Sequence, residues 1–231
     1  MMMKTVKVWD PVVRLGHWVL VIAFFTAYFT EDAFLTQHVW AGYVVGGVVL
    51  FRIFWGLGGT GKYARFSNFI YAPKAIFGYL KGLAQGKPQH YVGHNPAGGA
   101  MVMALLLSLC GTVFTGLNLY AVEENAGPLA QFYAAENVVN PALPIISQAN
   151  ASEAEEHDHD EGDEQQITLN NTMKKHVVNE QDEEFWEELH EFFANFTLLL
   201  VALHVLGVFL SSYIDKENLL KAMITGKKEV E

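Results

Sequence analysis

Three histidines, His17, His38 and His204, stand in long stretches with almost no charge, and a fourth, His190, opens such a stretch just after Glu187 and Glu188. An imidazole can ligate a metal, carry a proton or hydrogen-bond a neighbour. Inside an apolar helix an ionisable side chain is costly and is a functional candidate by default. His190 and His204 are 14 residues apart. Fourteen helical steps of about 100° bring the second almost under the first, roughly 21 Å along the axis. The same interval separates His38 from Arg52. One helix then presents two imidazoles on one face, and another presents an imidazole and a guanidinium.

These residues must be positioned by membrane-spanning helices. Crossing a bilayer core takes roughly 20 apolar residues in helical form. Four segments qualify, at about 11–30, 37–55, 95–120 and 186–213. A soluble bundle would keep a polar stripe on each helix. The first span is expected to be retained as an anchor, because no small-residue cleavage site follows it and it carries His17. Lys62, Arg65, Lys74, Lys81 and Lys87 lie between spans two and three with no acid among them. Lys4 and Lys7 precede the first span, and Lys216, Lys221, Lys227 and Lys228 follow the fourth. The positive-inside rule puts all three regions in the cytoplasm. Residues 31–36 and the loop 121–185 then lie outside. The predicted fold is all-α, a four-helix transmembrane bundle with both termini cytoplasmic.

That orientation sorts the histidines by depth. His17 and His204 fall on the cytoplasmic side, His38 and His190 on the outer side. Two bis-histidine sites stacked across a four-helix bundle are what two b haems need, with imidazoles on opposite faces of each iron. A lone intramembrane histidine is often only a hydrogen bonder between helices. A bis-histidine metal site without haem would usually want a carboxylate or a third histidine. Glu191 is next to His190 but about 100° around the helix. Gly16, Gly42, Gly46, Gly47 and Gly207 can admit a flat macrocycle, or simply allow close helix packing. Arg52, and Arg14 one turn before His17, are candidate partners for propionates. Snorkelling to headgroups is the alternative for both.

Composition narrows the function classes. The 231 residues are 51% hydrophobic and 17% charged, with a formal net charge of −10. Phosphate binding needs concentrated Lys and Arg, so a nucleic-acid partner is not expected. The single cysteine, Cys110, excludes a disulfide framework, a cysteine-based zinc site and a CxxCH haem attachment. The outer loop holds most of the acids, at 123–125, 153–164 and 181–184. Its middle reads as mobile, and His157 and His159 within it could at most catch a divalent ion adventitiously.

WDPVVRLGHW (9–18), HVWAGYVVGGVVLFRIFWG (38–56), GHNPAGGAMV (93–102) and LHEFFANFTLLLVALHVLGV (189–208) resemble the bacterial cytochrome b-561 family. That group includes the b-type cytochrome subunits of Ni,Fe-hydrogenases and formate dehydrogenases. The resemblance covers all four spans. It implies two b haems, one held by His17 and His204, the other by His38 and His190. It also implies a quinone pocket near the start of the third span, where this sequence has His94, Asn95 and Gly98. Asn95 and Pro96 equally suit a helix cap and first helical position.

The expected function is an electron conduit in the bacterial inner membrane rather than a self-contained catalyst. It would link the quinone pool to an extracytoplasmic redox protein, such as a hydrogenase-like enzyme or a basic c-type cytochrome steered by the acidic loop. A stand-alone superoxide:quinone oxidoreductase is the alternative, although an anionic substrate would favour a positive outer surface. A metal transporter is a third reading, with little support from four unbroken spans.

Overall fold

The structure is a computed structural model. It describes residues 4–7, 10–31, 33–58, 65–86, 91, 95–136, 161–214 and 218–230. Four helices are long and apolar enough to cross a membrane: Pro11–Thr30, Leu35–Gly58, Pro96–Glu123 and Glu180–Ile214. By contact the chain divides into two compact units, Met1–Phe114 with Glu191–Glu231, and Thr115–His190.

In the first unit, α1 (Pro11–Thr30) starts where sequence chemistry demands. Asp10 is extended, and its Oδ1 accepts from the Val12 N–H at 2.8 Å, while Pro11 occupies the first turn. Helix α2 (Leu35–Gly58) returns antiparallel across a turn, and Gly16 faces Val48. A 3-10 turn (Phe66–Asn68) and α3 (Pro73–Ala84) follow. Helix α4 (Pro96–Glu123) and the last stretch of α6 (Glu161–Ile214) complete the packing. Ala23, Phe24, Val45, Val49 and Leu109 form the core, with Leu198 and Val201 against them, so all four long helices contribute. The core also holds a polar tie: Ser108 and Thr197 hydroxyls are 2.6 Å apart, both buried. Around it, Leu15, Ile22, Phe29, Phe54, Leu57 and Leu107 are each more than 60% exposed, the apolar exterior of a lipid-facing bundle.

The chain ends meet. Strand β1 (Lys4–Lys7) pairs antiparallel with β2 (Lys227–Val230), Lys4 opposite Val230 and Lys7 opposite Lys227. A short helix α7 (Leu219–Thr225) precedes β2, capped by Asn218 at its start and by Gly226 with φ +79° at its end. Arg14 Nη1 donates to the Ile224 carbonyl there. A methyl group at Gly226 would come within 3.0 Å of the Arg14 guanidinium carbon.

In the second unit, α4 ends in a turn through Asn125 (φ 48°) and Gly127 (φ 83°). Helix α5 (Ala130–Glu136) follows, and Tyr133 donates from its hydroxyl to Asn118 Oδ1 at 2.7 Å.

The spans agree with the pattern in the sequence to within a few residues, apart from the start of the fourth. That helix begins at Glu161, so residues 161–185 are helical where a loop was expected. No Gly or Pro interrupts residues 163–206, so the helix propagates backward from its apolar part. Helices α3 and α5 and the terminal ribbon are further additions to the four-span pattern. His157 and His159 lie outside the described residues.

Candidate functional site

Among the described residues, four buried side-chain nitrogens have no hydrogen-bond partner: Arg14 Nε, His17 Nδ1, Arg52 Nη1 and Trp55 Nε1. All four belong to the start of α1 or the end of α2. A buried donor left without an acceptor costs about 1–3 kcal/mol, so such groups call for an explanation. His17 stands edge-on to Trp18 at 5.5 Å and is close enough to His204 for their charges to interact. The set therefore holds two imidazoles, two guanidinium groups and an indole N–H. Imidazoles suit an iron, and the remaining donors suit carboxylates, so the residues present fit a haem with its propionates.

Arg52 is held from two sides. Its guanidinium lies 4.8 Å from the centre of the Phe66 ring and 5.4 Å from that of Phe69. Phe66 reaches it because position 56 is glycine: a Cβ there would stand 2.5 Å from Phe66 Cε2. Asp10 is within electrostatic range, yet its carboxylate serves the cap of α1. Arg14 binds the C-terminal turn through Nη1 and is anchored there.

His38 is fixed differently. Its Nδ1 lies 2.9 Å from the Ala27 carbonyl of α1. A carbonyl only accepts, so Nδ1 carries the proton and the ring's lone pair is on Nε2, the usual arrangement for a ligating histidine. In the second unit, His190 is buried, and its Nδ1 is 3.1 Å from the Thr115 hydroxyl. Its ring lies against α4 where residue 116 is glycine; a Cβ there would be 2.8 Å from His190 Cε1.

The small residues divide into two kinds. A Cβ on Gly46 would press Val113 at 3.1 Å, so this glycine serves helix packing. A Cβ on Gly42, Gly47 or Gly207 would meet nothing within 4 Å, so contacts within the chain do not require glycine there.

At the start of α4, Asn95 is a cap. Its Oδ1 accepts from the Gly98 N–H at 2.7 Å, and its Nδ2 donates to the Tyr79 hydroxyl at 2.8 Å. Both Asn95 and the Gly98 amide are thus already engaged. Tyr91 packs edge-on to both Tyr79 and Tyr71. Burial and the neighbouring Tyr91 push the Tyr71 phenol above its ordinary range. His94 lies outside the described residues.

Trp55, Thr115, Gly116, Phe66 and Tyr79 are additions that sequence reasoning did not single out. Only Trp55 carried a local signal, three residues after Arg52 and hence on nearly the same helix face. Among the described residues, no three or more His, Cys, Asp or Glu side chains converge as a metal cage. In the second unit, Glu124, Glu183 and Glu187 lie within electrostatic range of Glu123.

A family model described as prokaryotic cytochrome b561 matches residues 8–226. No curated protein matches the chain, and no solved structure does.

Proposed function

The chain belongs to the prokaryotic cytochrome b561 family, as a multi-pass membrane b-type cytochrome of electron transfer, and from that premise we propose that it links an extracytoplasmic redox protein to the quinone pool through two haems b. When bound, haem b supplies a one-electron iron couple. The chain's own residues ligate, orient and neutralise charge. His17 and His204 hold one haem, and His38 and His190 the other. Arg52 and Arg14 counter propionate charge at the first. A haem held by two histidines would be suited to electron transfer rather than oxygen binding.

The observation that carries the reading is the four orphaned nitrogens at the start of α1 and the end of α2, that of His17 among them, with His204 in electrostatic range of His17. His38 supports the second site, because the Ala27 carbonyl of α1 accepts from its Nδ1 and so fixes the orientation of the ring. The glutamates of the second unit support a basic partner, such as a c-type cytochrome, or a hydrogenase-like enzyme with a basic docking face. They disfavour superoxide as the electron donor. The charge map of the sequence supports cytoplasmic termini in a bacterial inner membrane. The quinone is assigned to the start of α4, with His94 as proton carrier and Asn95 and Gly98 as carbonyl partners. To serve, Asn95 must use its second amide hydrogen, since its first goes to Tyr79, and the Gly98 N–H must be shared with or released from Asn95 Oδ1.

A reduced-minus-oxidised spectrum with haem quantification tests this directly. Two b haems per chain are expected. His17→Ala and His204→Ala should each remove the same haem, and His38→Ala and His190→Ala the other. Loss of both haems in equal measure in all four variants would overturn the pairing. Quinone reduction driven by superoxide alone, without a protein partner, would overturn the conduit role.

A further inference from the structure

The ligation proposed above gives the His17 ring a role, but it does not say why a tryptophan nitrogen and an arginine nitrogen are both buried without an acceptor near the end of α2. Arg52 and Trp55 are three residues apart on α2, so their side chains leave nearly the same face. Each is braced by aromatic rings. Trp55 stacks on Phe51 with centroids 5.5 Å apart and planes 26° apart. Arg52 is seated against Phe66 and Phe69, with Gly56 giving Phe66 the room to approach. Arg52 interacts electrostatically with Asp10, but no hydrogen bond satisfies its Nη1. Two rigid donors, one cationic and one neutral, are what a single carboxylate accepts through its two oxygens.

We infer that Arg52 and Trp55 form a two-donor clamp for one propionate of the haem held by His17 and His204, with the Trp55 indole N–H as a direct cofactor ligand. The inference rests on that ligation. Removing one donor leaves the carboxylate's negative charge less compensated. That charge favours the ferric over the ferrous iron, so the midpoint potential of this haem falls. A headgroup phosphate would satisfy the same donors, but it would not couple them to one iron.

The test is a redox titration of the purified full-length protein. Trp55→Phe keeps an aromatic ring against Phe51 and removes the N–H together with the pyrrole part of the indole. Expected is retention of two haems per chain, a lower midpoint for the haem that His17→Ala abolishes, and no change in the other. Arg52→Lys should shift the same haem in the same direction, and Arg52→Gln further. Both haems retained with wild-type midpoints in Trp55→Phe and Arg52→Gln would overturn the clamp and point to a lipid phosphate instead. A wild-type protein without two haems, or one whose His17→Ala variant keeps both, would overturn the ligation and the clamp with it.

Discussion

His190 shows how little of a functional residue's setting is local. Its type and its spacing from His204 were legible, because a charge-capable side chain in an apolar helix stands out and helical geometry fixes its face. Thr115 and Gly116, which orient and admit its ring, are about 75 positions away in sequence, and nothing near them marks the partnership. Trp55 was hidden for another reason: tryptophans near span ends usually anchor at the interface, so one with a buried nitrogen looks ordinary in the sequence. The tight fit at residue 116 gives a specific expectation. Gly116→Ala places a methyl group 2.8 Å from His190 Cε1, well inside contact distance, so the imidazole must move. The haem assigned to His38 and His190 should lose its low-spin bis-imidazole signal, while the other keeps its spectrum. Electron paramagnetic resonance of the variant reads the two separately.

At the level of elements, the apolar spans were legible because a bilayer imposes a length and forbids exposed backbone polar groups. Helix α1 matches its expected limits, since Asp10 and Pro11 are unambiguous start signals. The start of α6 was not legible. The polar segment 161–185 carries no apolar run, and only the absence of breakers after Gly162 hints that it is helical. The pairing of α4 with α6 was also not readable. It rests on Ser108 with Thr197, and on Gly111, where a Cβ would meet the Phe193 ring at 2.6 Å. Interhelical hydrogen bonds of this kind in membrane proteins couple by about 0.6 kcal/mol on average and up to about 1.7. A double-mutant cycle with Ser108→Ala and Thr197→Val, followed by unfolding in detergent, should give a coupling in that range. The short 2.6 Å separation and full burial favour its upper half.

For the whole molecule, an even number of spans follows from the structure as well as from charge counting. Residues 4–7 pair with 227–230, so the two ends of the chain share one side of the membrane. Reporter domains fused to each end in turn should give the same localisation, and by the positive-inside rule both should be cytoplasmic. Opposite readings for the two fusions would contradict the strand pairing itself. Neither segment has the alternating pattern that marks a strand, and a four-residue pairing between residues more than 200 positions apart leaves no sequence trace.

Translation runs from β1 to β2, which gives the ribbon a meaning in time. The first strand waits through the synthesis and insertion of every span before its partner leaves the ribosome. Arg14 waits with it, because the Ile224 carbonyl it binds belongs to the same final stretch. A chain cut short by a dozen residues retains every span and every proposed haem ligand but cannot fasten this end. The ribbon therefore closes only after all four spans have been made, at the end where α1 and α2 present their unpaired donors.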